Sequence, residues 1–114
     1  MITAPYLYLV QLDVPQHIEP ELHRIYDEEH IPHLLEVPGC LGCTRFRVVG
    51  GDVEGAPRFT AIWEMARPDI TGLYGPNGAA WAKAAARSDF VHRISPHVTK
   101  RSHLILERIA PPHD

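Results

Sequence analysis

The chain has 114 residues, room for one domain and too little for two of ordinary size. Hydrophobic residues make up 45% and charged residues 22%, the composition of a globular body rather than a disordered one. Eleven basic against fourteen acidic side chains leave a net charge of -3, the reverse of a nucleic-acid binder, and no apolar run approaches the roughly 20 residues of a membrane helix.

Met1 to Pro5 carries no basic stretch ahead of an apolar one, so no export signal is read. With only two cysteines, the expected setting is reducing and cytoplasmic. The run Tyr6-Leu7-Tyr8-Leu9-Val10-Gln11-Leu12 predicts a strand buried on both faces, ended by Asp13-Val14-Pro15. Pro20, flanked by Glu19 and Glu21, suits the first turn of a helix. Leu22, Ile25, Tyr26 and Glu29 continue that helix at amphipathic spacing. Pro32 has no N–H and crowds Ile31, so a kink or break is expected at His30-Ile31-Pro32. Pro38-Gly39 then turns the chain.

Thr44 to Val49 alternates polar with apolar and predicts a second strand; Gly50 to Gly55 is a loop. Phe59 to Met65 predicts a third, with Phe59, Ala61, Trp63 and Met65 on one face and Arg58, Thr60, Ile62 and Glu64 on the other. A short helix or loop runs from Arg67 to Tyr74-Gly75-Pro76. Asn77 is a candidate cap for an alanine-rich helix over Ala79 to Arg87 that carries Trp81. Val98 to Ile109 alternates again, and the tail from Pro111 to Asp114 reads as frayed.

Strand, helix, strand, strand, helix, strand is the order of an α+β ferredoxin-like βαββαβ domain over residues 1–114. Such a domain has a four-stranded antiparallel sheet with helices on one face. The first strand and the Phe59–Met65 strand carry apolar residues toward both sides. The uncovered face therefore calls for a partner, most simply a second copy of the chain.

Eight histidines are the reason to look for chemistry. The densest cluster is Tyr26-Asp27-Glu28-Glu29-His30-Ile31-Pro32-His33. On a helix His23, Asp27 and His30 share a face, and Tyr26 neighbours His30. A carboxylate beside an imidazole raises its pKa and fixes its tautomer, which makes a general acid or base. The same spacing also describes a solvated charged face. Cys40-Leu41-Gly42-Cys43, with His30 and His33 upstream, has zinc-ligand residue types. Its gap is short for a finger, and cysteines three apart in a strand point to opposite faces, so small core residues are the plainer reading. His97, Thr99, Arg101 and His103 fall on one face of the last strand, where Arg101 can hold a carboxylate or phenolate. Tyr74, Trp63 and Trp81 are candidate apolar walls or simply core. No phosphate-binding loop or nucleophile elbow occurs.

Tyr26 to Gly39 resembles the signature of the EthD-like branch of the dimeric α+β barrel superfamily. Ala56 to Glu64 resembles its third strand, and Arg93-Ile94-Ser95-Pro96-His97-Val98 the start of its last. The resemblance implies a dimeric barrel closed sheet against sheet, with a cleft between helices and sheet where His30 sits. Activities in that superfamily include cofactor-free monooxygenases, haem-degrading enzymes, lyases, isomerases and cyclases, so the fold does not choose the reaction.

The resulting expectation is a homodimeric, cofactor-independent enzyme acting on a hydrophobic aromatic or polyketide-like carbonyl compound. It would contact neither nucleic acid nor membrane. His30 moves a proton and is oriented by Asp27 or Glu29. Tyr26, Tyr74 or His97 meets the substrate oxygen, and Trp63, Trp81 and Arg101 contribute to binding. The alternatives are a monooxygenase, cofactor-free or haem-using, a non-catalytic ligand-binding accessory protein, and a zinc site at His30, His33, Cys40 and Cys43.

Overall fold

The structure, a computed structural model, describes residues 2–113; Met1 of the N-terminal reading and Asp114 of the tail lie outside it. In chain order it has β1 (Tyr6–Asp13), α1 (Glu19–Ile25), a widened helical turn (Tyr26–His30), α2 (Ile31–Leu34), β2 (Cys40–Arg47) and β3 (Phe59–Met65). Then come α3 (Ala79–Ala85), a second widened turn (Phe90–Ile94), a short 3-10 turn (Ser95–His97) and β4 (Lys100–Glu107). The strands form one antiparallel sheet in the order β2-β3-β1-β4, the ferredoxin-like arrangement.

The alternation read in β3 is realised in full, since Phe59, Ala61, Trp63 and Met65 are buried and the residues between them are half-exposed. Tyr8 lies opposite Trp63 and Ile105, and Val10 opposite Ala61 and His103, so these side chains share the face under the helices. Leu22, Ile25 and Leu34 descend onto that face fully buried. β1 was expected to be buried on both faces. Only Tyr8 and Leu12 within it are buried, because no helix covers the opposite side.

Pro32 does not break the helix. His30, Ile31 and Leu35 keep right-handed helical angles, and the Ile31 N–H bonds to the Tyr26 carbonyl five residues back. The wider turn absorbs the irregularity just ahead of the proline, where an interior ring would otherwise meet a preceding carbonyl. The strand read at Thr44–Val49 starts earlier, at Cys40. A bulge between Cys40 and Gly42 sets Cys40 opposite Met65 and Cys43 opposite Trp63. Both thiols therefore turn to the helix side, not to opposite faces. Gly39 makes this entry with φ of 91°, a position where any side chain would also collide with Ile70. At α3 the cap residue is Gly78, and the Asn77 amide instead donates to Asp69 at 2.7 Å.

Candidate ligand-binding cleft

A cavity of about 200 Å3 opens between helices and sheet. Its floor comes from Tyr8 and Val10 on β1 and Trp63 on β3. Trp81 on α3 stands over them, meeting Trp63 and Tyr8 edge to face at 5.1 and 5.8 Å. The other walls are the two widened turns: Tyr26 and His30 belong to one, Phe90 and Val91 to the other. Arg101 and His103 on β4, with Ser95, complete the rim.

The wide turn lets Tyr26 and His30, four residues apart, both face inward; they are 3% and 8% exposed. The His30 ring stacks on Phe90 at 4.5 Å and meets Tyr26 edge on at 4.9 Å. Its Nδ1 lies 3.0 Å from Ser88 Oγ. That hydroxyl also accepts the Phe90 N–H at 3.3 Å and donates to the Ala85 carbonyl at 3.2 Å. One hydroxyl has one proton and two lone pairs. With the proton on Ala85 and one lone pair used by Phe90, the remaining lone pair takes a proton from His30. The network thus assigns the Nδ1–H tautomer and leaves Nε2 with a free lone pair. Nε2 has no protein partner among the described residues and is not among the sealed, partnerless nitrogens.

Burial, and secondarily His33, pushes the His30 pKa down to about 4. The ring is neutral at neutral pH. The carboxylates expected to raise its pKa are engaged elsewhere. Asp27 accepts from Arg45 at 2.9 Å, and the same guanidinium contacts His23 Nδ1 at 2.8 Å and covers the Tyr26 ring. Glu29 accepts the Asp89 backbone N–H at 3.0 Å. It therefore clips the segment that presents Ser88 without touching the imidazole. Burial pushes the Tyr8 phenol up to about 12, opposed by Arg101, and raises that of Tyr26 further, so both stay protonated donors. The buried Trp63 N–H faces toward the Tyr26 hydroxyl without completing a hydrogen bond.

Of the residues singled out from sequence, the cleft therefore gathers His30, Tyr26, Trp63, Trp81 and Arg101. Tyr74 sits on an exposed loop and His97 is exposed beside His17, so neither reaches the cleft. Tyr8, Ser88, Phe90 and His103 were not singled out for the cleft. The alternation of β1 and β4 could have placed Tyr8 and His103 by face, but nothing in the spacing reveals that Ser88 meets a histidine 58 residues away. The cysteines are free thiols held up to about 11 and 12 mainly by burial, and no three metal-ligating side chains converge among the described residues. The zinc arrangement accordingly has no geometric basis. No helix among the described residues is long and apolar enough to cross a membrane.

No family model matches the sequence, and no curated protein matches it. Solved structures do match. A mutant of MhuD with two manganese protoporphyrin IX bound per active site is 21% identical, with a TM-score of 0.66 over 96% of this chain and 100% of that one. The haem-degrader MhuD from Mycobacterium tuberculosis, with two haems in its active site, is 27% identical, with a TM-score of 0.60 over 96% of this chain and 100% of that one. An ethyl tert-butyl ether d (EthD) family protein from Bacillus halodurans c-125 is 15% identical, with a TM-score of 0.54 over 91% of this chain and 99% of that one. These likenesses show the fold: a ferredoxin-like α+β domain with a four-stranded antiparallel sheet.

Proposed function

We propose that the cleft binds a hydrophobic aromatic or polyketide-like carbonyl compound and that His30 moves a proton on it without a cofactor, as an isomerase, cyclase or lyase would. The observation carrying this reading is the saturated Ser88 hydroxyl, which leaves His30 Nε2 as an unprotonated, uncommitted base in an apolar chamber. In the step, Nε2 takes a proton from the carbon beside the carbonyl, and the electron pair of that C–H bond moves to the oxygen. The enolate charge lowers the cost of the imidazolium, since a nearby opposite charge favours the charged form. The phenol of Tyr8 or Tyr26 donates to the oxygen as charge builds there. The proton then returns from the imidazolium to another carbon or to a leaving group. His30 acts as a base from its neutral form, not as a resting acid, because of its low pKa.

The test is hydrogen–deuterium exchange at the α-carbon of aryl ketones and β-diketones in D2O, followed by NMR. Catalysed exchange that disappears in a folded His30→Gln protein is expected. Equal catalysed exchange in that variant overturns the role of His30, and no exchange above the buffer rate in the parent overturns the reading and leaves a ligand-binding accessory protein.

The porphyrins bound by MhuD raise the haem-using monooxygenase as a second reading. The residue types suit it in part, with an imidazole facing aromatic walls. The space does not. A cavity of about 200 Å3 lies below the roughly 300–1,000 Å3 of ordinary ligand sites and holds one or two fused rings, not a tetrapyrrole.

The open sheet face supports a homodimer. It carries Leu7, Leu9 and Ile62 along its centre and the exposed Phe46, Leu104 and Leu106 at its edges. Four strands of seven or eight residues present roughly 500 Å2 of projected face. Two copies face to face would hide on the order of 1,000 Å2, the threshold of a specific interface.

A further inference from the structure

A second hollow of about 300 Å3 adjoins the cleft and shares Ser95 and Arg101 with it. Its other walls are Val98, Thr99 and Lys100, so it is polar where the cleft is apolar. Among the described residues six of the nine arginines have a carboxylate within 4.0 Å. Arg47, Arg101, Arg108 and both lysines have none, and of these Arg101 alone lines the cleft. Lys100 donates to the Gly55 carbonyl at 2.6 Å, and Arg101 donates only to Ser95 Oγ at 3.2 Å. A guanidinium has five N–H donors, so most of those of Arg101 are free.

Arg101 stands on the helix side of β4, opposite Leu12. Its charge reaches into the cleft. Burial first and Arg101 second hold the His103 pKa below its ordinary value, which keeps that ring neutral and leaves the cation unshared. The chain carries a net charge of -3, so a guanidinium without a carboxylate partner at the cleft rim is not a by-product of general basicity. Cleft and hollow together reach the volume of an ordinary ligand site, while the cleft by itself does not.

We propose that Arg101 is the anion anchor of a second subsite and that the ligand is an aromatic acid. Its ring body lies against Trp63, Trp81 and Phe90, and its carboxylate lies on the Arg101 fork. The planar guanidinium matches a carboxylate through two parallel hydrogen bonds, which a lysine cannot reproduce. This rests on the cleft being the ligand site, as proposed above, but not on His30 acting as a base.

The test is calorimetric titration of the intact protein with 2-naphthylacetate and its neutral isostere, 2-naphthylacetamide, at pH 7.5. The acid is expected to bind at least tenfold more tightly. That preference should fall below twofold in Arg101→Gln, survive in part in Arg101→Lys, and shrink as salt rises. Equal binding of acid and amide overturns the proposal and leaves the cleft reading standing. So does a preference that survives Arg101→Gln or is lost only in Lys100→Met. Binding of neither probe overturns both. Arg101 is exposed, so Arg101→Gln is expected to keep the parent melting temperature.

Discussion

The two faces of the sheet are built from similar apolar residues and meet opposite fates. Under the helices lie Trp63, Tyr8 and Met65, each less than a tenth exposed, with Trp63 and Tyr8 edge to face with Trp81 and Trp63 tilted against Tyr26. On the other face Phe46 and Leu104 remain 52% and 50% exposed. The covered face is aromatic, and rigid rings that meet edge on leave a gap where the helices are irregular. The open face mixes aliphatic side chains such as Leu7, Leu9, Ile62, Leu104 and Leu106 with a polar patch of Gln11, Thr60 and Ser102, and no helix covers it. The first is the face proposed to take a ligand and the second the face proposed to take a copy of the chain. Mutations on the two faces should therefore separate stability and binding from assembly.

The largest effect belongs to the covered face. Trp63→Ala empties the floor of the cleft and should cost about 3–5 kcal/mol in chemical denaturation, as large aromatic truncations in cores do. A loss below about 1 kcal/mol would mean that the aromatic floor is not packed as described.

Next in size is a pH effect from the same face. His30 titrates near 6.5 when unfolded and at about 4 when folded. Between those values the unfolded state binds more protons, so stability rises with pH. The contribution is complete above 6.5 and is lost as pH falls toward 4. A depression of this size corresponds to about 3 kcal/mol. Melting curves from pH 7 to 4 should fall more steeply for the parent than for His30→Gln, which cannot be protonated. His23 and His103, also depressed, titrate in both proteins and cancel in the comparison. Identical slopes would show that His30 is solvated.

Smaller again is Ser88→Ala. It strips His30 Nδ1 and the Phe90 N–H of their shared partner, at a cost of about 1–3 kcal/mol for buried groups left unpaired. The sharper readout is the tautomer. Nitrogen-15 spectra of the parent should show His30 protonated at Nδ1, and those of the variant should show the proton redistributed toward Nε2. A parent ring protonated at Nε2 would mean that Ser88 donates to His30 and that no free base faces the cleft.

The comparison also explains what could be read from the chain. Period-two alternation assigned every β3 side chain to its face, because a strand allows two directions only. The open face was legible for the same reason. The cleft was legible where it depended on helical spacing, as in Tyr26 with His30. It was not legible where it depended on a turn one residue too wide, just as the bulge that sets both thiols on the helix side was not. Pro32 signalled an irregularity, but spacing could not tell a break from a wide turn. The same limit hid the second wall at Phe90–Ile94. The segment clipped by Glu29 and the ring held by Ser88 are contacts 60 and 58 residues apart, which tertiary packing alone creates.

The smallest effect on the fold is expected from the face that the helices leave bare. Leu104 is half-exposed on an edge strand and directly opposite Leu9. Leu104→Glu removes little burial within one subunit, so its melting midpoint at low concentration should change by less than about 0.5 kcal/mol, as for other surface substitutions. In the proposed dimer the same carboxylate would be pressed between two sheets. Its desolvation then opposes association. Light scattering should show a dimer for the parent and a monomer for the variant, while the binding preference of the cleft is unchanged. A parent that stays monomeric at high micromolar concentration would remove the second copy. The apolar stripe across Leu7, Leu9, Ile62 and Leu104 would then require a different occupant.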